Sequence, residues 1–351
     1  MLRAKDIPTP LSIPTSDTNL PPPQVRIPRW LFVAWLLLRI SWHLCWMRLG
    51  RPGTKSTPLY LGQLVRGELE RLGGLWIKVG QRVATHRSAF SNAFCEELCQ
   101  IHDWAFAFHA DAVVRIIEQE LARPVKEAFR EFDVVPIAVT SIGQVHVAWL
   151  VDRDVKIAVK VQRPGVDAAF TRDAALIEAA LRFCRCFRIV TRAQASDIHS
   201  MLVSTLEGEL DYRVEAAAIR ATRRALPTRR AYVPKVFSRY CSRRVLVMEF
   251  VDGVLLSDYA RTSALDPKRA KRWRKENRVH LKKLCRRLTQ GEIAPLLRGQ
   301  ASRGKLVPGE IMLLRKNRIA LLDFGAIGAL DKGLTPVSQA RRPFSIERRP
   351  P

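Results

Sequence analysis

Acidic residues are scarce in this sequence. The chain has 33 Asp plus Glu against 59 Lys plus Arg, which gives a formal net charge of +26. That excess favours an anionic partner, whether a nucleotide, a nucleic acid or an anionic membrane surface, and does not choose among them. A solvated arginine-rich surface without any partner explains the charge equally well.

Cysteine pairs at metal-site spacing are also lacking. Cys95 and Cys99 are close in sequence, as are Cys184 and Cys186, but no second Cys or His pair follows either at zinc-site spacing. The odd total of seven cysteines predicts reduced thiols. Cys95 and Cys99 lie one helical turn apart beside apolar residues, so we expect them in a core rather than on a metal.

No long apolar run is free of charge. The tryptophan-rich segment 30–48 is uncharged only over 30–38, because Arg39 interrupts it, and a bilayer span needs about 20 apolar residues. Its tryptophans and flanking arginines favour a helix at the headgroup level of a membrane. A membrane span and a core-packing helix stay open as alternatives. The late start of the run and the lack of a small-residue cleavage site argue against a signal peptide.

The two ends differ in composition from the rest. Residues 1–29 carry several prolines, including a run at Pro21–Pro23, which predicts a flexible arm. Residues 334–351 are rich in Pro and Arg and predict a disordered basic tail.

Periodicity divides the middle of the chain into helical and extended parts. Helical spacing dominates 58–132 and predicts an all-helical extension, and short β-branched runs then predict a meander of three strands. Side chains alternate along the third, so Lys160 should project from the face opposite its apolar backing. The predicted strands are 135–140, 145–150, 155–161, 235–238, 244–249, 311–314 and 319–322, with helices over 166–221, broken near Arg188 and Gly208, and over the basic stretch 266–298.

The order of these elements indicates a kinase-like nucleotide site. A kinase-like lobe covers the phosphates of ATP with a strand, a small-residue turn, a second strand and a Lys on the third strand. Here Ala138, Ser141 and Gly143 supply the turn and Lys160 the cation, and Asp323-Phe324-Gly325 follows the last strand. Alone, an Asp and a Gly after a strand are often just a turn.

Four further motifs resemble those of the UbiB family of atypical kinases, which includes the ADCK proteins. They are the K-x-G-Q motif at 78–81, the alanine-rich nucleotide loop at 136–146, the V-A-V-K-V-Q-R-P strand at 157–164, and the E-L-D-Y-x-x-E-A helix at 209–216. The resemblance covers 59–333. It implies an α+β, kinase-like, two-lobed fold with a helical extension, an N-lobe over 133–253 and a truncated C-lobe over 254–333.

The resemblance also implies roles for individual residues. Lys160 would contact the nucleotide phosphates and be held by Glu215, and Asp323 would ligate Mg²⁺. Lys78 and Gln81 with Glu209 and Asp211 would occupy the place of a protein substrate. Asp211 and Glu215 are four apart, so a converging Lys is also reasonable on helix geometry. The expected nucleotide-binding residues are Ala138, Ser141, Ile142, Gly143, Gln144, Val145, Lys160 and Glu249.

The sequence departs from the family pattern in its catalytic loop. Where the family has H-x-D-P-H-P-G-N, Lys305 replaces the catalytic Asp and Glu310 replaces the metal-binding Asn. A cation cannot accept a proton from a nucleophile at neutral pH, whereas Glu310 could still bind a metal. Val139 and Thr140 also replace alanines in the nucleotide loop.

We therefore expect a protein that binds ATP or ADP with Mg²⁺ and is weak or inactive in phosphoryl transfer. It would act as an ATPase or accessory regulator in ubiquinone or isoprenoid-lipid metabolism, peripheral on the cytoplasmic face of a membrane, with lipid-biosynthesis proteins as partners. The alternative is a basic scaffold that binds a membrane or, less favoured, nucleic acid, with a non-functional kinase-like lobe. A decayed gene product is a third interpretation.

Overall fold

The structure, a computed structural model, describes residues 28–48, 57–84, 89–101, 105–225, 231–286, 309 and 311–322. Helices and two antiparallel sheets confirm the predicted α+β class. The predicted arm 1–29, apart from its last two residues, and the predicted tail 334–351 lie outside the described residues.

The first part of the chain is helical, as the periodicity predicted. The continuous pattern over 59–83 is nevertheless two helices, because Gly73 and Gly74 have φ of 67° and 54°, a left-handed backbone that glycine adopts without steric cost. The helices are α1 (Arg29–Arg48), α2 (Thr57–Leu72), α3 (Gly74–Val83), α4 (Asn92–Leu98), α5 (Ala110–Leu121) and α6 (Val125–Ala128).

A five-stranded antiparallel sheet follows. Its order is β1-β3-β4-β5, with β2 paired to β3. In β4 the apolar residues Ile157, Val159 and Val161 are fully buried on one face, which we call the backing face, and Lys160 lies on the other. The strands are β1 (Phe129–Phe132), β2 (Ala138–Val139), β3 (Gly143–Leu150), β4 (Lys156–Gln162) and β5 (Val245–Glu249).

Three strand predictions were wrong. The strand expected over 135–140 shrinks to β2, because Pro136 cannot donate to a ladder. β1 was assigned to the helical extension but pairs with β3, so the sheet begins before residue 133. The strand expected over 235–238 is a single bridge between Val236 and Met248, followed by a 3-10 turn.

The helical region after β4 breaks near the predicted places. Arg188 has a φ of 54° between the first two helices, and the second break comes at residues 210–211, slightly after Gly208. The three helices are α7 (Val166–Cys186), α8 (Arg192–Glu209) and α9 (Tyr212–Ala225).

A second, three-stranded sheet has the order β6-β7-β8. Tyr232 joins the two sheets: its backbone pairs with β8, and its hydroxyl donates to Glu249 at the end of β5. The predicted basic helix is interrupted at Asn277 and Arg278, where Arg278 has a φ of 54°, and residues 287–298 lie outside the described part. The elements are β6 (Val254–Leu255), α10 (Leu256–Leu265), α11 (Pro267–Glu276), β7 (Ile311–Leu314) and β8 (Arg318–Leu321).

Candidate nucleotide site

Lys160 and Glu215 form an ion pair on the face of the five-stranded sheet opposite the backing face. Lys160 comes from β4 and Glu215 from the first turn of α9, and the Nζ–Oε2 distance is 2.7 Å. The Glu215 side chain is 5% exposed and that of Lys160 18%. A carboxylate this deeply buried needs a charged or hydrogen-bonding partner to stay ionised. The structure thus brings together the two residues that the sequence motifs paired.

Tyr212 lies beneath this pair. The Lys160 ammonium is 4.8 Å from the centre of the Tyr212 ring, a cation–π distance. The side chain is fully buried, and its hydroxyl has no hydrogen-bond partner among the described residues. Burial is the main cause that raises the pKa of Tyr212, so the phenol stays neutral. Tyr212 stands inside the 209–216 motif, but the sequence alone gave it no role.

The turn at 140–143 lies beside Lys160. Val145 pairs directly with Lys160 across β3 and β4. Thr140 closes the turn: its N–H donates to the Gly143 carbonyl at 2.8 Å, and its Oγ1 accepts from the Gly143 N–H at 3.2 Å. A Cβ on Gly143 would lie 2.3 Å from the Val161 carbonyl oxygen, closer than atoms can approach. Glycine is therefore required at this position.

The predicted turn residues differ in exposure. Ile142 is buried, Ser141 and Val145 are half-buried, and Ala138 at the start of β2 is exposed. Only some of the predicted nucleotide-binding residues therefore have side chains that reach solvent. The others could contact a nucleotide only through their backbone groups.

The side chain of Gln144 is turned away from Lys160. It pairs across the strands with Val161, whose side chain is on the backing face. Its Nε2 donates to the Phe108 carbonyl at 3.1 Å, and its Oε1 is 3.1 Å from His146 Nε2. Burial lowers the pKa of His146. The side chain of Gln144 thus lies on the backing face, and its contact with nucleotide stays a prediction that its backbone would have to satisfy.

The Glu249 carboxylate is also occupied. It accepts from the Tyr232 hydroxyl at 2.6 Å and from the Lys235 N–H at 3.2 Å, and the residue is buried. Glu249 therefore ties the segment after α9 to the end of β5. Because this carboxylate is occupied, the predicted contact of Glu249 with nucleotide would have to come from its backbone.

The four residues that the resemblance assigns to the place of a protein substrate do not all meet. Lys78 on α3 lies 3.9 Å from Glu209 at the end of α8, and Gln81 is half-buried one turn further along α3. Asp211 instead accepts from the Arg213 guanidinium, with an Nη2–Oδ2 distance of 2.6 Å, and these hydrogen bonds hold the pKa of its carboxyl below the usual range. Asp211 precedes α9 rather than lying on its face, so it does not share Glu215's partner as helix spacing suggested.

The predicted magnesium ligands Asp323 and Glu310, and Lys305 in the catalytic loop, lie outside the described residues. β8 ends at Leu321, two positions before Asp323. Among the residues that the structure does describe, no group of three or more His, Cys, Asp or Glu side chains could hold a metal ion.

The tryptophan-rich segment is the helix α1, docked along one face. Phe32, Val33 and Leu36 are buried, whereas Trp30 and Trp42 are 59% and 69% exposed. The charge that interrupts the segment has a structural partner, because Arg39 lies 3.4 Å from the buried carboxylate of Glu68 on α2. Arg29 likewise binds the buried Asp173 of α7.

Over the described part of the chain, no helix combines the length and apolarity that crossing a membrane would require.

Comparisons with known proteins agree on one family. A model described as the ABC1 atypical kinase-like domain matches residues 100–336. A probable protein kinase UbiB from Erwinia tasmaniensis is 31% identical over 278 residues, 78% of this chain and 49% of the relative. Another from Pseudomonas fluorescens is 30% identical over 327 residues, 90% of this chain and 57% of the relative. The chain thus spans about half the length of these curated relatives.

A solved structure is also similar. The complex of Rv3197 with erythromycin from Mycobacterium tuberculosis matches with a TM-score of 0.52 and 29% identity, covering 74% of this chain and 62% of that one. This likeness supports the kinase-like fold.

Proposed function

Since the chain belongs to the ABC1 atypical kinase-like family, we propose that it binds an adenine nucleotide with Mg²⁺ on the Lys160 face of the five-stranded sheet. The observation that carries the proposal is the Lys160–Glu215 ion pair beside the turn at 140–143. In kinases a strand Lys held by a helix Glu contacts the nucleotide phosphates. The same two elements supply the same two side chains here.

Different residues would bind the phosphates and the metal ion. Lys160 would contact the phosphates, and Glu215 would hold the ammonium in place. Asp323 and Glu310 would hold Mg²⁺, since carboxylates are the hard oxygen donors that this ion prefers. The bound ion would neutralise phosphate charge.

Phosphoryl transfer to another molecule is disfavoured on two grounds. Lys305 stands where the family has its catalytic Asp, so a nucleophile would lack a proton acceptor. The UbiB resemblance also implies that the Lys78–Glu209 pair would fill the place of a protein substrate. We therefore favour slow ATP hydrolysis or an accessory role, in the ubiquinone or isoprenoid-lipid metabolism that the UbiB resemblance implies.

Thermal melting tests the binding proposal. A ligand that binds only the folded state at 100 times its dissociation constant adds about 2.7 kcal/mol of stability, which corresponds to a rise of about 5 °C in Tm for a chain of this size. We expect such a rise with millimolar MgATP and a smaller one when EDTA removes the metal. A Tm that does not change with MgATP or MgADP would contradict the proposal.

We also propose that α1 attaches the protein to the cytoplasmic face of a membrane. Its exposed face carries Trp30, Trp35, Leu38 and Trp42, and tryptophan prefers the headgroup region. The net charge of +26 would add attraction to anionic lipid.

Vesicle sedimentation tests the attachment. We expect Trp30→Ser with Trp42→Ser to weaken binding to phosphatidylglycerol vesicles on the order of tenfold, because apolar area buried in the interface is lost. Phe187→Ser is the matched control, since Phe187 is as exposed as Trp30 (59%) but lies at the end of α7. Equal loss in both variants, or binding that high salt abolishes completely, would contradict a role for α1.

A further inference from the structure

Arg163 donates hydrogen bonds to three of the four carbonyls of the turn at 140–143. Its Nε donates to the Ser141 carbonyl at 3.2 Å and its Nη2 to the Thr140 carbonyl at 3.4 Å. Its own backbone N–H donates to the Ile142 carbonyl at 2.6 Å. Arg163, directly after β4, thus donates to three successive peptide carbonyls.

The same guanidinium is fixed from the other side. Its Nη2 also donates to the Phe106 carbonyl at 2.7 Å, and its carbon lies 5.3 Å from the centre of the Phe108 ring. Phe108 packs against the cluster that includes Val161 on the backing face, and its carbonyl accepts from Gln144. Arg163 is therefore held on the backing face, away from Lys160.

This arrangement sets the direction of the turn's N–H groups. In a trans peptide the carbonyl of one residue and the N–H of the next point in opposite directions, and the described residues contain no cis peptide. Because the carbonyls of Thr140 and Ser141 point towards Arg163, the N–H groups of Ser141 and Ile142 point away from it, towards the Lys160 side. Successive N–H groups with this orientation form a concave site for an anion.

We propose that Arg163 is a positioning residue of the nucleotide site: it holds the carbonyls of Thr140 and Ser141 on the backing face, so that the N–H groups of Ser141 and Ile142 face the phosphates next to Lys160. The inference rests on the proposed nucleotide binding. It also gives the 105–109 segment a role, because the carbonyls of Phe106 and Phe108 are the fixed points to which the turn is tied through Arg163 and Gln144.

The substitution Arg163→Lys tests this role without changing the net charge. An ammonium on a flexible stem cannot reproduce the planar fork or the stacking on an aromatic ring. We expect MgATP affinity, measured by calorimetry, to fall about tenfold, the equivalent of one charge-assisted hydrogen bond. Arg172→Lys, an exposed arginine on α7, is the matched control and should bind like the wild type.

Hydrogen exchange of the nucleotide-free protein separates positioning from general destabilisation. In Arg163→Lys we expect faster exchange at the amides of Thr140 and Gly143, which close the turn, and unchanged exchange in β4 and β5. Phe108→Leu removes the ring on which Arg163 stacks but keeps the arginine. We expect it to weaken MgATP binding and to speed exchange in the turn, both by less than Arg163→Lys does. It provides the test if Arg163→Lys does not fold.

The outcomes distinguish the two proposals. If the wild type binds no MgATP, the proposed function fails, and the positioning role for nucleotide fails with it. If the wild type binds and Arg163→Lys stays within about twofold of it, the inference is overturned while the proposed function stands. Faster exchange of the turn without weaker binding also overturns it.

Discussion

Lys160→Ala is expected to lower the free energy of unfolding by about 3 kcal/mol and to abolish measurable MgATP binding. Removing one partner of a buried ion pair leaves the other charge uncompensated, and that penalty is about 3–5 kcal/mol for a fully buried pair. The Glu215 side chain is only 5% exposed while that of Lys160 is 18% exposed, so we place the loss at the lower end. Urea unfolding, followed by circular dichroism, measures it.

Lys156→Ala is the matched control. Lys156 lies on the same strand and face, and its ammonium is 3.7 Å from the Asp252 carboxylate, but those side chains are 37% and 40% exposed. An exposed pair contributes about 0–1 kcal/mol, so this variant should unfold close to the wild type and still bind nucleotide. Equal destabilisation by Lys156→Ala and Lys160→Ala would show that the Lys160–Glu215 pair is not specially buried or coupled.

Restoring the family residues in the catalytic loop should raise ATP turnover by about 100-fold or more. The double variant Lys305→Asp with Glu310→Asn supplies the carboxylate that accepts a proton and the amide metal ligand, and a positioned general base contributes about 10²–10⁴-fold. A phosphate-release assay under saturating MgATP measures the change.

Two controls identify the cause of such a gain. Lys305→Ala removes the cation without adding a carboxylate, so it should give much less turnover than the double variant. Adding Lys160→Met to the double variant should remove the gain, because the phosphates would lose their strand cation. A double variant that folds, binds MgATP and yet hydrolyses it no faster than the wild type would show that the catalytic loop is not what limits this protein.

The central strands could be predicted because their residues alternate strongly. In β4, Ile157, Val159 and Val161 are apolar, and Lys156, Ala158 and Lys160 alternate with them, so both the strand and the face that carries Lys160 follow from the period of two. The Lys160–Glu215 pair spans 55 residues of sequence, and helical or strand periodicity carries no information about such a contact. Only the resemblance to a family connected the two residues.

Other features depend on contacts that no local pattern encodes. β1 forms because its residues meet β3, and the roles of Gln144 and Arg163 depend on the carbonyls of Phe108 and Phe106, far away in sequence. Arg39 read as an interruption of an apolar segment, yet it pairs with a buried Glu68. Contacts with backbone carbonyls and with distant charges exist only once the chain is folded. The sequence therefore draws attention to these residues but does not predict their partners.

The most direct test of the account is calorimetric titration of MgATP into the wild type and into the double variant Lys160→Met with Glu215→Leu. Replacing a buried ion pair by apolar residues of similar volume is often neutral for stability, so the double variant should stay folded. We expect a saturable binding isotherm for the wild type and none for the folded double variant. Equal affinity in the two proteins would contradict the claim that this ion pair is the phosphate-contacting centre of the site.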